Sequence, residues 1–124
     1  MKLADTCIWI EAITDSALGK SVKSLLKDTP NILVPTIVQY ELRRWLLRVS
    51  NQELADKVIA ITRACKTIDT TESIALYAAE LGMQYKLNAL DALIYATALN
   101  EKATLVTCDA HFKDLPYVEY IVKK

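Results

Sequence analysis

The stretch from Asn88 to Asp109, N-A-L-D-A-L-I-Y-A-T-A-L-N-E-K-A-T-L-V-T-C-D, sets two carboxylates in strongly apolar surroundings. Between Ala89 and Leu99 the polar side chains are Asp91, the Tyr95 hydroxyl and Thr97, so a helix here is apolar around most of its circumference and belongs in the interior. Asp91 must then sit where that buried helix meets solvent. It is the third residue after an Asn88 cap, so its plainest structural role is that of a capping-box acid. After Asn100-Glu101-Lys102, the run Thr104-Leu105-Val106-Thr107 is β-branched and too short for a helix, and reads as a buried strand. Asp109 therefore lies just past a strand's carboxyl end.

The same alternation repeats on either side. Lys2-Leu3-Ala4 begins a first strand, and Asp5-Thr6 marks its junction with an apolar helix or turn from Cys7 to Ile13. Taken alone, Asp5 or Thr6 would be a helix cap worth about 1 kcal/mol. Leu18 to Lys27 reads as an exposed, Lys-rich amphipathic helix. Asn31-Ile32-Leu33-Val34 is a second strand closed by Pro35, and Thr36-x-x-Gln39 is a capping-box start for a helix reaching about Val49. The expected core stripe of that helix is Val38, Leu42, Trp45 and Val49. Glu41 falls off the stripe, with Arg44 and Arg48 on its side; an isolated Glu41 would be read as a surface ion pair with Arg44, worth roughly 0.3 to 0.5 kcal/mol. Tyr40 and Leu47 form a second apolar line, which implies that another surface covers it.

Further on, Gln52 to Ala64 is a helix with Leu54, Val58 and Ile61 inward, Lys66-Thr67-Ile68 a short strand, and Asp69-x-x-Glu72 another capping box. Ile74, Tyr77, Ala78 and Leu81 mark the next helix, which Gly82 either bends or ends. Val118 to Val122 is the last strand, patterned for a sheet edge. Strands near 2, 32, 66, 104 and 118, separated by helices, describe an α/β fold: a central parallel sheet of about five short strands with helices on both faces.

At 124 residues the chain is expected to form one domain over 1–124, and its 52% apolar content suffices for a single core. No apolar run approaches the ~20 residues of a membrane span, and the start Met-Lys-Leu-Ala-Asp puts an acid where a signal peptide needs apolar residues, so a soluble, cytoplasmic protein is expected. Cys7, Cys65 and Cys108 form no C-x-x-C pair and read as small core residues rather than a zinc site or a disulfide framework. With two glycines in the whole chain there is no Gly-rich phosphate loop, which removes ATPase and dinucleotide-dehydrogenase readings. The fifteen basic and fifteen acidic residues cancel, which argues against a strongly basic nucleic-acid binder. Gathering four acids into one pocket would leave the remainder four charges positive, a balance compatible with phosphate binding around an acidic centre.

Ligands of an open parallel sheet bind beyond the carboxyl ends of its strands, and Asp5 and Asp109 both fall there. Asp91 and Glu41 enter helices at the same rim. Four converging carboxylates repel one another unless a cation lies between them. Oxygen ligands without cysteine or histidine select Mg²⁺ or Mn²⁺ and leave coordination positions for water and a substrate phosphate. His111 is the one histidine, so a Ser-His-Asp or Cys-His system has little support and His111 itself reads as structural or merely exposed.

Asp5-Thr6 after the first strand, Glu41 in the helix after the second, Asp91 in D-A-L-I-Y-A-T-A, and Thr107-x-Asp109-x-x-Phe112 together resemble the PIN-domain ribonucleases, and within them the VapC-type toxins of toxin-antitoxin pairs. The resemblance runs the length of the chain and implies a three-layer α/β/α domain. It implies that Asp5, Glu41, Asp91 and Asp109 form a catalytic acidic quartet around Mg²⁺, with Asp5, Asp91 and Asp109 as metal ligands and Thr6 and Thr107 as polar neighbours. Cys7 and Cys108 depart from the small polar residues common at their positions. The implied activity is a metal-dependent endoribonuclease in which a metal-activated water attacks the phosphodiester. The implied partners are an RNA substrate, a cognate antitoxin and a second copy in a homodimer. Arg44 and Arg48 are candidate RNA contacts, and Trp9, Trp45, Tyr40 and Leu47 candidate interface residues with a core role as the alternative. Two other functions share the resemblance: a housekeeping RNA-processing nuclease, and a non-catalytic binding module of the same fold.

Overall fold

A computed structural model describes residues 1–14 and 19–123. Five strands, β1 (Lys2–Ala4), β2 (Ile32–Pro35), β3 (Lys66–Ile68), β4 (Thr104–Thr107) and β5 (Val118–Tyr120), alternate with helices α1 (Thr6–Thr14), α2 (Gly19–Leu26), α3 (Thr36–Val49), α4 (Gln52–Arg63), α5 (Glu72–Tyr85) and α6 (Ala89–Asn100). The strands form one parallel sheet in the order β3-β2-β1-β4-β5. From β1 the chain winds outward through β2 to β3, then returns across β1 to lay down β4 and β5. Right-handed crossovers place α1 to α4 on one face and α5 and α6 on the other. The direction of winding reverses between β1 and β4, so the crevice beyond their carboxyl ends is the sheet's topological switch point.

The core fills both sides of this sheet. Leu3, Ala4, Leu33, Val34, Leu105 and Val106 are fully buried, as two-sided burial of a parallel sheet requires. Helix α6 is interior, with Ala92 and Ile94 through Ala98 buried. Its polar groups are satisfied internally: the Tyr95 hydroxyl donates to the Pro116 carbonyl at 2.7 Å, and Thr97 Oγ1 to the Leu93 carbonyl at 2.7 Å.

Several local expectations are corrected. The buried stripe of α3 is Val38, Leu42 and Leu46; Trp45 is half-buried and Val49 is exposed. Val49 is outside because fourteen residues of helix rise about 21 Å while the four residues of β2 span about 13 Å, so the last turn overshoots the sheet. Helix α4 likewise buries Ala55, Val58, Ile59 and Thr62 and leaves Ile61 outside. Thr36 is the first helical residue of α3 after a Pro35 cap, and Gln39 donates instead to Thr62 Oγ1 at 3.0 Å, tying α3 to α4. Thr71, not Asp69, caps α5, accepting from the Ile74 N–H at 3.2 Å. Of the candidate interface residues Trp9 is core, while Tyr40 and Leu47 are exposed. The start of the Lys-rich helix at Leu18 lies outside the described residues, and its described part is α2.

Gly82 does not end α5; the helix runs on to Tyr85 and closes on Lys86, which takes the left-handed conformation at φ 56°. A methyl group at position 82 would lie 3.4 Å from the Leu87 carbonyl oxygen and 3.5 Å from Ala92 Cβ, ordinary contacts. Gly82→Ala is therefore expected to stabilise the protein by about 0.5 to 1 kcal/mol through helix propensity, read as a raised midpoint in thermal unfolding. A lowered midpoint would mean that α5 and α6 pack more tightly than these distances show.

Candidate active site at the sheet switch point

Asp5 follows β1 directly. Its N–H donates to the Val106 carbonyl at 2.9 Å, extending the β1–β4 ladder, while its carbonyl accepts from Ile8 N–H at 3.0 Å and so starts α1. The carboxylate is almost wholly buried, at 4% exposure. Oδ1 accepts the Thr6 N–H at 2.8 Å and Oδ2 accepts the Thr107 hydroxyl at 2.7 Å. Burial pushes the Asp5 carboxyl up to about 6; the Thr107 and Thr6 hydrogen bonds oppose this, and the nearby charges of Asp91 and Glu41 add to it.

The other three acids reach the same crevice from three elements. Glu41, in the second turn of α3, accepts the Thr6 hydroxyl at 2.7 Å on Oε1. Arg44 donates to the Tyr40 hydroxyl at 3.1 Å, so the ion pair with Glu41 that sequence spacing would suggest is not made. Asp91 stands in the first turn of α6, where its N–H donates to Asn88 Oδ1 at 2.9 Å and its Oδ2 accepts from the Asn88 amide at 3.1 Å. Its carboxyl is raised, first by burial and then by the charge of Asp109, with His111 acting the other way. Asp109 sits beyond β4, its N–H donating to Thr107 Oγ1 at 3.0 Å and its Oδ1 accepting the His111 N–H at 2.9 Å. All four acids thus converge, coupled through their charges.

Thr107 is the pivot of the arrangement. Its fully buried hydroxyl donates to Asp5 and accepts from the Asp109 backbone, linking the ends of β1 and β4. Thr107→Val removes both bonds at nearly constant volume and leaves a buried N–H and a buried carboxylate short of a partner. A loss of about 1 to 3 kcal/mol in urea unfolding is expected, with Thr107→Ser close to wild type; equal stability of the valine variant would show that the hydroxyl is not a tie.

Two features went unread in the sequence. His111 folds back over the short 3-10 turn Ala110–Phe112, bringing Nδ1 to 3.2 Å from Asp109 Oδ1 and 3.5 Å from Asp91 Oδ2. Asp91, Asp109 and His111 each offer a ligand atom within 4.8 Å of the others, so an imidazole nitrogen stands beside the two carboxylates. The Asp-x-His spacing across a tight turn was the available signal. The second is the neighbouring of Cys7 and Cys108: Cys7 Sγ accepts the Cys108 N–H at 3.0 Å, adding a second tie between the two strand ends. All three cysteines are free thiols, and the Cys7 thiol is held far above its ordinary value by its contact with Cys108, by burial and by the charge of Asp5.

A family model described as PIN domain matches residues 2–117. The chain belongs to the PIN domain family. Solved structures share its architecture along nearly all of both chains. A toxin-antitoxin complex from Klebsiella pneumoniae aligns at TM-score 0.83 and 23% identity, covering 98% of this chain and 100% of that one. VapBC2 from Rickettsia felis, bound to a promoter DNA fragment, aligns at TM-score 0.76 and 25% identity over 96% and 97% of the two chains. The VapC20 toxin of Mycobacterium tuberculosis, which cleaves the sarcin-ricin loop, aligns at TM-score 0.78 and 18% identity over 96% and 98%. No curated relative matches the chain. The three-layer α/β/α reading and the PIN resemblance are borne out. Among the described residues no helix is long and apolar enough to cross a membrane.

Proposed function

We propose that this PIN domain, a single unit over residues 1–124, is a Mg²⁺-dependent endoribonuclease, with Mn²⁺ a competent substitute, and that it acts in the cytoplasm as the toxin of a toxin-antitoxin pair. The observation that carries the reading is the convergence of Asp5, Glu41, Asp91 and Asp109 at the switch point, with Asp5 buried and short of compensating positive charge. A hard divalent cation fits that donor set. The toxin assignment rests on the VapBC-type structures sharing the fold, and it carries with it an antitoxin partner and a homodimer.

Asp5, Asp91 and Asp109 hold the ion, and Glu41 completes the catalytic set. Bound there, the cation supplies a Lewis acid for a phosphate oxygen and lowers the pKa of a water. Thr107 and the Thr6 N–H fix the Asp5 carboxylate, while the Thr6 hydroxyl fixes Glu41, which would accept a hydrogen bond from a water in the crevice. Arg44 and Arg48 meet RNA phosphates.

Purified protein incubated with a mixed cellular RNA pool, with Mg²⁺, Mn²⁺ or EDTA, tests the activity. Metal-dependent cutting supports it; a protein that binds no metal and cuts no RNA fits the non-catalytic module instead. Growth arrest on induced expression, relieved by a small DNA-binding protein encoded beside it, separates a toxin from a housekeeping nuclease.

A further inference from the structure

Helix α3 carries three arginines in its second half, and they are used differently. Arg43 is committed to Asp56 at 2.8 Å on α4. Among the described residues neither Arg44 nor Arg48 is paired with a carboxylate, although both are one or two turns from Glu41. Tyr40, Arg44 and Arg48 form one i, i+4, i+8 line, and Glu41 and Trp45 lie beside it. These five residues and Leu90, the neighbour of Asp91, line a cavity of about 380 Å³. That is within the range of roughly 300 to 1,000 Å³ usual for small-ligand sites. Glu41 borders both the cavity and the acidic crevice, so the two adjoin.

Two unpaired guanidinium groups beside a cluster of acids are otherwise unexplained. They stay off the carboxylates, and Arg44 is held by the Tyr40 hydroxyl at 3.1 Å, along the helix. Their charge suits an anion that approaches the crevice from this side. The half-buried Trp45 and the exposed Tyr40 add aromatic surface at the same spot. Phosphate-binding arginines interleaved with aromatic rings are the composition of a single-stranded nucleic-acid groove.

We propose that this cavity is a subsite for one unpaired nucleotide next to the scissile phosphate, its base lying on Trp45 and Tyr40 and its phosphate on Arg44 and Arg48. The assignment rests on the ribonuclease reading and deepens it. Trp45 is a positioning residue, acting on where the chain enters the crevice. The subsite also demands an unpaired base, since one stacked within a duplex has no free face to offer.

The test uses a fluorescein-labelled single-stranded RNA oligonucleotide of mixed sequence and the full chain in a silenced Asp91→Asn background. Trp45→Leu keeps apolar bulk without an aromatic face and is expected to weaken binding by roughly 5- to 150-fold, with Trp45→Phe retaining most of the affinity. Arg44→Ala with Arg48→Ala should lower the slope of log affinity against log salt by about 0.7 for each lost phosphate contact. Because Trp9 is buried, tryptophan fluorescence quenched by the RNA reports Trp45. The proposal is overturned if the active wild type cuts RNA while the Trp45 and arginine variants bind it as tightly, and with the same salt slope, as their Asp91→Asn parent. It is overturned also if Trp45→Leu turns a dimer into a monomer with RNA affinity unchanged, which would make the face an interface between copies. Absence of any RNA binding or cleavage by the wild type brings down the underlying nuclease reading, a distinguishable result.

Discussion

Asp91→Asn is expected to leave the protein folded and to lower RNA cleavage by about 10³-fold. The substitution keeps size and removes one charge. The helix start survives, because its tie is the residue 91 N–H donating to Asn88 Oδ1, a backbone bond that the side-chain change does not touch. Anchoring of α6 also survives, since it comes from the buried Ile94, Tyr95, Ala96 and Ala98. Folded stability at neutral pH should even rise slightly, because burial and the charge of Asp109 disfavour an ionised Asp91. On the proposed function, catalysis loses a charged ligand from the donor set of the cation. Stabilisation of charge by a metal is worth several kcal/mol in a transition state, and about 4 kcal/mol corresponds to the stated 10³-fold. Circular dichroism melts and single-turnover cleavage of one oligonucleotide measure the two halves independently. Undiminished cleavage in a folded Asp91→Asn protein would sink the assignment of the acidic quartet.

The second large effect is a stability that falls as pH rises, in protein freed of metal by EDTA. The Asp5 carboxyl titrates at about 6 in the folded chain against 3.8 as its ordinary value, so the folded state binds that proton more tightly than the unfolded state does. The stabilisation is complete below about pH 4 and is lost as pH climbs through 6, in total about 3 kcal/mol at 1.36 kcal/mol per tenfold of proton affinity. Asp91 shifts in the same direction and steepens the decline. Mg²⁺ reverses the slope, because a cation binds the ionised carboxylates and stabilises the folded state by mass action. Urea unfolding at pH 4.5 and 7.5, with EDTA and with Mg²⁺, measures both. The Asp5 contribution is the difference between wild type and Asp5→Asn, in which that site no longer titrates. Identical pH profiles for these two proteins in EDTA would show that burial does not hold the Asp5 proton.

Taken together, the two experiments separate what the acids do for catalysis from what they cost the fold. The core of the protein is packed against the mutual repulsion of these acids, and Thr107, Thr6 and Cys7 are the hydrogen-bonding groups that hold the strand ends and Glu41 in place.

Local sequence determined a good deal of this molecule. The alternation of short β-branched runs with helical periods identified five strands and their parallel sheet, because those periods are properties of neighbouring residues. The apolar run around Asp91 marked α6 as interior, and Asp5 and Asp109 announced themselves as acids at strand ends. What distance along the chain left open, the tertiary structure decided. Val49 stays outside the core since the short strand β2 does not reach the last turn of α3, and Leu46 rather than Trp45 continues the buried i, i+4 line of Val38 and Leu42. Thr107 meets Asp5 since strand order sets β4 beside β1 across a hundred residues, and Thr6 meets Glu41 since β2, which leads into α3, lies on the other side of β1. His111 enters the acidic group because a single 3-10 turn folds it back over Asp109. Periodicity records which way a side chain faces on its own element; which side chains meet depends on how those elements are ordered in the sheet, and that order is settled by packing the whole core at once.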